Sequence, residues 1–370
     1  MVQKEGQAVV TPRARPGGRF LLDTRRLSGV AWITARAFPI VLAAVVLVMI
    51  LLVAKNSGGE IAGEQLKNGL QIGAIYALIA VGYTMVYGII ELINFAHGDV
   101  FTLSAFYAIL IGQGFGFLGV NVSRLATSNG GGLIAALLLL LPTTMVAAGV
   151  TGVLIERVAY RRLRNSPRVA PLITAVGVSF LLEGVMFARF GAANYPAGKE
   201  AWVHGTAVTV GGVNIAWKDV LVFATAVGAM FALQAFVRLS RLGKAMRATA
   251  QDRDAALLSG ININRTIAAT FFIGSALAAA GAVVYSVYYN SIQWNLGFRF
   301  GIIAFTAAVL GGIGNIVGAG LGGFLIGLIS VFGSQLLGGE WENSIVFAML
   351  IIVLTFRPVG LLGMRVPDRA

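Results

Sequence analysis

Leu133–Ile155 reads LIAALLLLLPTTMVAAGVTGVLI, 23 residues without a charge. A bilayer core of about 30 Å is crossed by roughly 20 helical residues, so this run is long enough to span it. Backbone N–H and C=O groups in lipid must be paired internally, which leaves α-helices or the strands of a closed barrel. A barrel strand would show about ten residues of alternating polarity. This run does not alternate, and it reads as a helix. Runs of the same kind recur on both sides of it. The resulting candidate spans are 38–54, 66–90, 99–119, 133–155, 171–190, 219–237, 266–289, 300–312, 316–337 and 344–356. The eighth and tenth are short for full crossings. The expected architecture is therefore an all-α polytopic membrane protein of about ten transmembrane helices.

Composition supports the same class. Charged residues make up 12% of the 370 positions and hydrophobic ones 57%, against about 25% charged in an ordinary soluble domain. Cysteine is absent, so disulfides, thiol catalysis and cysteine-ligated metals are excluded. The 48 glycines fit close helix packing. A net charge of +13 could suit nucleic acid, but the basic residues lie in loops. Of 28 Lys and Arg, 21 fall in 1–37, 156–170, 238–265 and after 356. That bias orients a membrane protein with those segments inside and contacts lipid headgroups, so nucleic acid is set aside. Both termini are then cytoplasmic. Five spans per half would set the halves in opposite orientations, although no sequence repeat between them is evident. The domain reading is a basic cytoplasmic tail over 1–37, a transmembrane domain over 38–363 and a short cytoplasmic tail over 364–370. The apolar run 38–54 is followed by KNSGGE, which does not look like a cleavage site.

Arg241–Ile261, RLGKAMRATAQDRDAALLSGI, is a charged loop on the inner side. Strong helix formers from Ala248 to Leu258 predict one helix, with Ala250, Asp254, Leu257 and Leu258 on a moderately apolar face. Gly260 supplies its end. Such a helix could dock in a partner's groove or lie on headgroups.

Within it, Asp254-Ala255-Ala256-x-x-x-Gly260 resembles the EAA-x-x-x-G signature of ABC importer permeases, with Asp in place of Glu. A more specific resemblance is carried by GYTMVYGIIELINFAHGD at 82–99, ERVAYR at 156–161, SRLGKAMRATAQDRDAALLSGI at 240–261, AFTAAVLGGIGN at 304–315 and RPVGLLG at 357–363. In this order they resemble branched-chain amino acid permeases of the LivH type over most of 66–363. The chain departs from that family in its longer tail, at Arg162, where proline is common, and in the loop 191–218.

The resemblance implies a subunit of a bacterial inner-membrane importer. Its partners would be two ABC ATPase subunits, a second related permease (or a second copy of this chain) and a soluble substrate-binding protein. ATP and Mg would sit on the ATPases. The chain has no phosphate loop of its own, since Gly243-Lys244 is followed by Ala245. By resemblance, Arg247, Asp254, Ala255, Ala256, Leu257 and Gly260 would carry coupling, in a helix within 247–260. Leucine, isoleucine and valine lead as substrates, with urea, short amides or other amino acids as alternatives. Selectivity would belong mainly to the binding protein.

Other residues attract attention on chemistry alone. Glu91, Asn94, His97 and Asp99 cluster between two spans. Asp99 is placed to cap the third span, while Asn94, His97 and Asp99 could instead serve gating or the pathway. One His with spaced carboxylates makes no metal site. Glu183, at the middle of the fifth span, must face the bundle interior or water. It could line the pathway or make a buried interhelical hydrogen bond. Gly314, Gly318 and Gly322 are spaced to share one face of a packed helix. His204, Trp202 and Trp217 in the outer loop suit interface anchoring, or docking of a binding protein. A stand-alone secondary transporter would not need the loop helix to touch a partner. A membrane enzyme would need a convergent catalytic set, for which His97 with Asp99 is the only hint.

Overall fold

In the computed structural model the described residues are 29–113, 130–164, 166–167, 169–196 and 203–363. Most of the 1–37 tail, the far end of the third expected span, Trp202 and the 364–370 tail lie outside them. Twelve α-helices run through the described chain: α1 Gly29–Ser57, α2 Gly59–Ile90, α3 Ala96–Gln113, α4 Gly130–Ile155, α5 Val169–Phe190, α6 Trp217–Leu239, α7 Arg241–Gln251, α8 Arg253–Leu258, α9 Ile263–Tyr289, α10 Leu296–Gly311, α11 Ile316–Leu337 and α12 Glu342–Phe356. Beyond α4 the chain makes a π-turn at Glu156–Tyr160 and a 3-10 turn at Arg161–Leu163.

Each of the ten expected spans corresponds to a helix. Eight helices are long and apolar enough to cross a membrane, and α12 with its preceding turn is among them. The other two are α3 and the 16-residue α10. Neither lies at the lipid surface. They sit at the centre of the bundle, and burial among α2, α9 and α11 takes the place of length.

The layers follow from side-chain character. In the most apolar window of α2, 83% of residues are buried, and in that of α9, 78%. In α1 the share is 17%, and Leu47, Leu51 and Val48 point outward. The most hydrophobic segment is thus outermost, because lipid solvates leucine as well as protein does. Glycine and alanine mark the inner helices, where backbones approach closely. A Cβ on Gly73 would lie 2.9 Å from Phe324 Cα, and one on Gly82 would lie 2.6 Å from the Gly274 carbonyl oxygen.

The packing repeats. α2 packs on α11 as α9 packs on α4; α3 packs on α4, α5 and α9 as α10 packs on α11, α12 and α2. α2 with α9, and α3 with α10, form the central pairs. Gly82 meets Gly274 while Leu78 meets Gly281, so α2 and α9 run antiparallel and the two halves are inverted. With that equivalence in hand, a repeat that plain inspection misses becomes readable. Ile93-Asn94-Phe95-x-x-Gly98-x-x-Phe101 recurs as Ile292-Gln293-Trp294-x-x-Gly297-x-x-Phe300, and Ala77-Leu78-x-Ala80-x-Gly82 as Ala276-Leu277-x-Ala279-x-Gly281. The identities are few, which is why no repeat is evident in the sequence alone. Glu91 (φ 56°) and Asn290 (φ 51°), the described non-glycine residues with positive φ, end α2 and α9 at equivalent places. Phe101 and Phe300 stack on each other at 5.2 Å between ring centroids.

The strands are minor. β1 (Tyr195–Pro196) pairs antiparallel with β4 (Ser291–Ile292), with Tyr195 opposite Ile292. β2 (Thr206–Val210) and β3 (Val213–Ala216) form a hairpin over the start of α2. There Lys67 Nζ donates to the Asn214 carbonyl at 3.0 Å.

Candidate functional site

Four of the five stretches that carry the family resemblance meet at the C-terminal end of α2 or the loop after it, and the fifth, 357–363, joins them through the end of α10. Arg253, at the start of α8, donates from Nη2 to the carbonyls of Ile89 and Ile90 at 3.1 and 2.8 Å. A helix leaves its last four carbonyls unpaired, and a guanidinium suits both their hydrogen-bonding need and the negative end of the helix dipole. Tyr160 donates its hydroxyl to Asn94 Oδ1 at 2.9 Å, joining the turn after α4 to the loop after α2. Gly314 N–H donates to Thr84 Oγ1 at 2.9 Å. Leu361 and Leu362 N–H groups donate to Leu310 and Gly311 carbonyls at 2.8 and 2.9 Å. Buried Glu156 pairs with Arg164, whose Nη1 reaches Asn264 Oδ1 at 2.7 Å. A cavity of about 270 Å³ opens here, lined by Glu91, Tyr160, Arg164, Arg253 and Phe271 among others.

The single helix expected over Ala248–Leu258 is two. Asp252 is extended (φ −155°, ψ 115°) and caps α8, its Oδ1 accepting from the N–H groups of Asp254 and Ala255 at 2.9 and 3.0 Å. A short acidic side chain satisfies those donors better than a continuing helix turn would, and the chain bends. The bend separates Ala250 from the face expected for it. Ala256 is buried on α8, whereas Leu257 and Leu258 are exposed by 61% and 90%. Asp254, Ala255 and Gly260 are exposed, as is Arg247 on α7. Gly260 has φ +81° and nothing within 4 Å of where a Cβ would stand. Its requirement is conformational: Gly260 N–H bonds the Leu257 carbonyl at 2.9 Å and Ile261 N–H that of Ala256 at 3.0 Å, which closes the helix end.

The other expected site residues divide. Asp99 does not cap α3, which begins three residues earlier at Ala96. Its carboxylate is fully buried, with Oδ2 accepting from Ser179 on α5 and Oδ1 lacking a partner among the described residues. Glu183 lies one turn beyond Ser179 and is half-buried. His97 is buried edge-on to the Tyr83 ring at 5.5 Å, over Gly82. His97 and Asp99 therefore point to different neighbours and form no convergent catalytic set. Gly314 is not on the helix with Gly318 and Gly322: it lies in the preceding turn with φ +87°. Gly318 and Gly322 press against Gly311 and Ala307 of α10, while Gly323 and Gly327 press against Ala77 and Gly73 of α2. Sequence reading overlooked Arg253, whose signal is only an arginine directly after a helix-capping aspartate.

Among the described residues, eight helices long and apolar enough to cross a membrane, packed as two inverted halves, define a multi-pass membrane protein. The chain belongs to the family described as branched-chain amino acid transport system / permease component, whose model matches residues 65–354. It is 42% identical over 313 residues to the high-affinity branched-chain amino acid transport system permease protein BraD of Pseudomonas aeruginosa, covering 81% of this chain and 95% of that protein. It is 39% identical over 303 residues to the permease protein LivH of the corresponding system in Escherichia coli K12, again covering 81% and 95%. A shorter match, 33% over 114 residues, is to the autoinducer 2 import system permease protein LsrD of Escherichia coli O9:H4. No solved structure matches. The chain is a membrane component of a transporter and not an enzyme.

Proposed function

We propose that this chain is the membrane-spanning subunit of an ATP-driven importer of branched-chain amino acids in the bacterial inner membrane, with both termini cytoplasmic. Separate ATPase subunits, holding ATP and Mg, dock on α8. A second permease chain, related or identical, completes the pathway, and a soluble binding protein delivers substrate from the opposite side. Lipid surrounds the outer helices, and nucleic acid has no part. The observation that carries this reading is the pair of exposed leucines, Leu257 and Leu258, on a helix whose Arg253 grips the end of the most buried span. Two exposed apolar side chains suit a partner's groove, and the grip turns their displacement into movement of α2. Closure of the ATPases would then rock the inverted halves between outward and inward openings. Arg247, Asp254, Ala255, Ala256, Leu257 and Gly260 belong to the coupling segment; Asn94, His97, Asp99 and Glu183 belong to the moving interior. Gly318 and Gly322 keep α11 in close contact with α10.

The test is labelled leucine uptake into proteoliposomes that hold this chain with its ATPases, partner permease and binding protein, with and without internal ATP. ATP-dependent uptake that disappears in Gly260→Trp is expected, since only glycine adopts φ +81° without strain. Uptake by this chain alone, driven by an ion gradient, would refute the reading. ATP-dependent uptake of urea in place of leucine would correct the substrate and leave the mechanism.

A further inference from the structure

At the end of the bundle away from α8, a second cavity of about 560 Å³ lies between α2, α9, α10, α11 and α12. Its walls carry one cation and one anion. Arg299, in the first turn of α10, pairs with Glu342, the first residue of α12. Glu342 Oε1 also accepts from Ser330 Oγ at 2.9 Å and from Tyr76 hydroxyl at 3.4 Å. Between these charges and the bundle centre the wall is aromatic: Tyr76, Tyr285 and Phe300 meet edge to face, at 5.4 Å for Tyr76 with Phe300 and 5.3 Å for Tyr285 with Phe300.

Two observations set this apart from a structural ion pair. Gln71 lines the cavity at 5% exposure, with its Oε1 accepting from Tyr288 at 2.5 Å and its Nε2 finding no acceptor among the described residues. A buried amide donor without a partner costs roughly 1–3 kcal/mol, so it calls for an acceptor from outside the chain. The start of α10 is also uncapped by any side chain, since Asn295 makes no capping bond. Its positive dipole end lies beside the cavity, which Leu296 and Arg299 line; the Leu296 N–H itself bonds the Gln293 carbonyl at 3.4 Å.

We infer that this cavity is a binding subsite for a free α-amino acid in its zwitterionic form, resting on the reading of the chain as an amino-acid permease. The carboxylate goes to Arg299, Gln71 Nε2 and the start of α10. The ammonium goes to Glu342, and an apolar side chain lies on Tyr76, Tyr285 and Phe300. The volume is that of an ordinary small-molecule site. Gln71 and Tyr76 come from one inverted half and Arg299 and Glu342 from the other, so rocking the halves would draw Gln71 Nε2 away from Arg299 and release the ligand.

The test uses the full-length chain in lipid nanodiscs, with its melting temperature measured against leucine, leucinamide (no carboxylate) and 4-methylpentanoate (no ammonium). Leucine alone is expected to raise the melting temperature. Gln71→Leu is expected to weaken half-saturation by about tenfold or more. The double exchange Arg299→Glu with Glu342→Arg keeps an ion pair, and so the ligand-free melting temperature, but puts a carboxylate at the start of α10 and loses the leucine shift. The same variants in the full complex should lose uptake while keeping ATP hydrolysis stimulated by loaded binding protein. Equal stabilisation by either analogue overturns the inference, as does a full leucine shift in the exchanged variant. Absence of a leucine shift in the wild-type chain overturns it too. A leucine-specific shift without any ATP-dependent uptake would sink the importer reading and leave this one standing.

Discussion

Removing the Arg253 side chain is the sharpest probe of how α8 is tied to the transport core. Arg253→Met keeps length and apolar stem but deletes both hydrogen bonds to Ile89 and Ile90 carbonyls. Hydrogen bonds made by a charged group contribute about 1.5–3 kcal/mol. The two here share one nitrogen, and Arg253 is half-buried, so we assign that range to the pair and not to each bond. If the link is what transmits movement, its loss lowers the fraction of ATPase cycles that move α2. The range corresponds to about 10- to 150-fold. The assay is the ratio of leucine taken up to ATP hydrolysed in proteoliposomes holding the complete complex. That ratio is expected to fall at least about tenfold in Arg253→Met, with hydrolysis preserved and protein level unchanged. Arg253→Lys should recover part of it, because an ammonium reaches one carbonyl but lacks the guanidinium's fork. A ratio equal to wild type in Arg253→Met would refute the reasoning and place the mechanical link elsewhere. Parallel loss of uptake and hydrolysis would mean that Arg253 serves docking and not transmission.

Two further outcomes test the packing. Gly98→Ala drives a Cβ into the Gly297 carbonyl and to 2.7 Å from Gly301 Cα, both backbone atoms that cannot swing away; a loss of roughly 1–3 kcal/mol or more is expected, read as a lower melting temperature and reduced protein level, and an unchanged melting temperature would show that the central α3–α10 contact is looser than described. Tyr160→Phe leaves buried Asn94 Oδ1 without its donor at about 1–3 kcal/mol. It should lower the melting temperature and speed hydrogen exchange in 91–97, and wild-type exchange there would count against the bond's role in holding that loop.

Much of the membrane architecture was readable because hydropathy acts locally. A run such as Leu133–Ile155 must be helical in lipid whatever surrounds it. The short helices were harder. Ala96–Gln113 carries His97 and Asp99, and Leu296–Gly311 carries Arg299, so neither resembles a lipid-facing span. Both are stable because neighbouring helices, not lipid, surround them. The break at Asp252 was missed because helix propensity on both sides is good and a side-chain cap competes with it over only two N–H groups. Gly314 was misassigned for a related reason: the four-residue glycine spacing says nothing about which glycine precedes the helix start.

By itself the sequence determined which segments are apolar helices, the clustering of basic loops and the family, since each depends on composition or on a contiguous motif. Tertiary structure alone decided which spans are central and that Arg253 holds the end of α2. It also decided that Asp99 faces Ser179, and that Gln71, Arg299 and Glu342 border one cavity although they lie far apart in the chain. The inverted repeat stands between the two. Its residues were present throughout, but Ile93–Phe101 and Ile292–Phe300 share only a few identities. In lipid nearly any apolar side chain serves, and the positions that match are those in close contact, such as Gly98 with Gly297 and the stacked Phe101 with Phe300. Only the antiparallel contact of α2 with α9 shows which positions to compare.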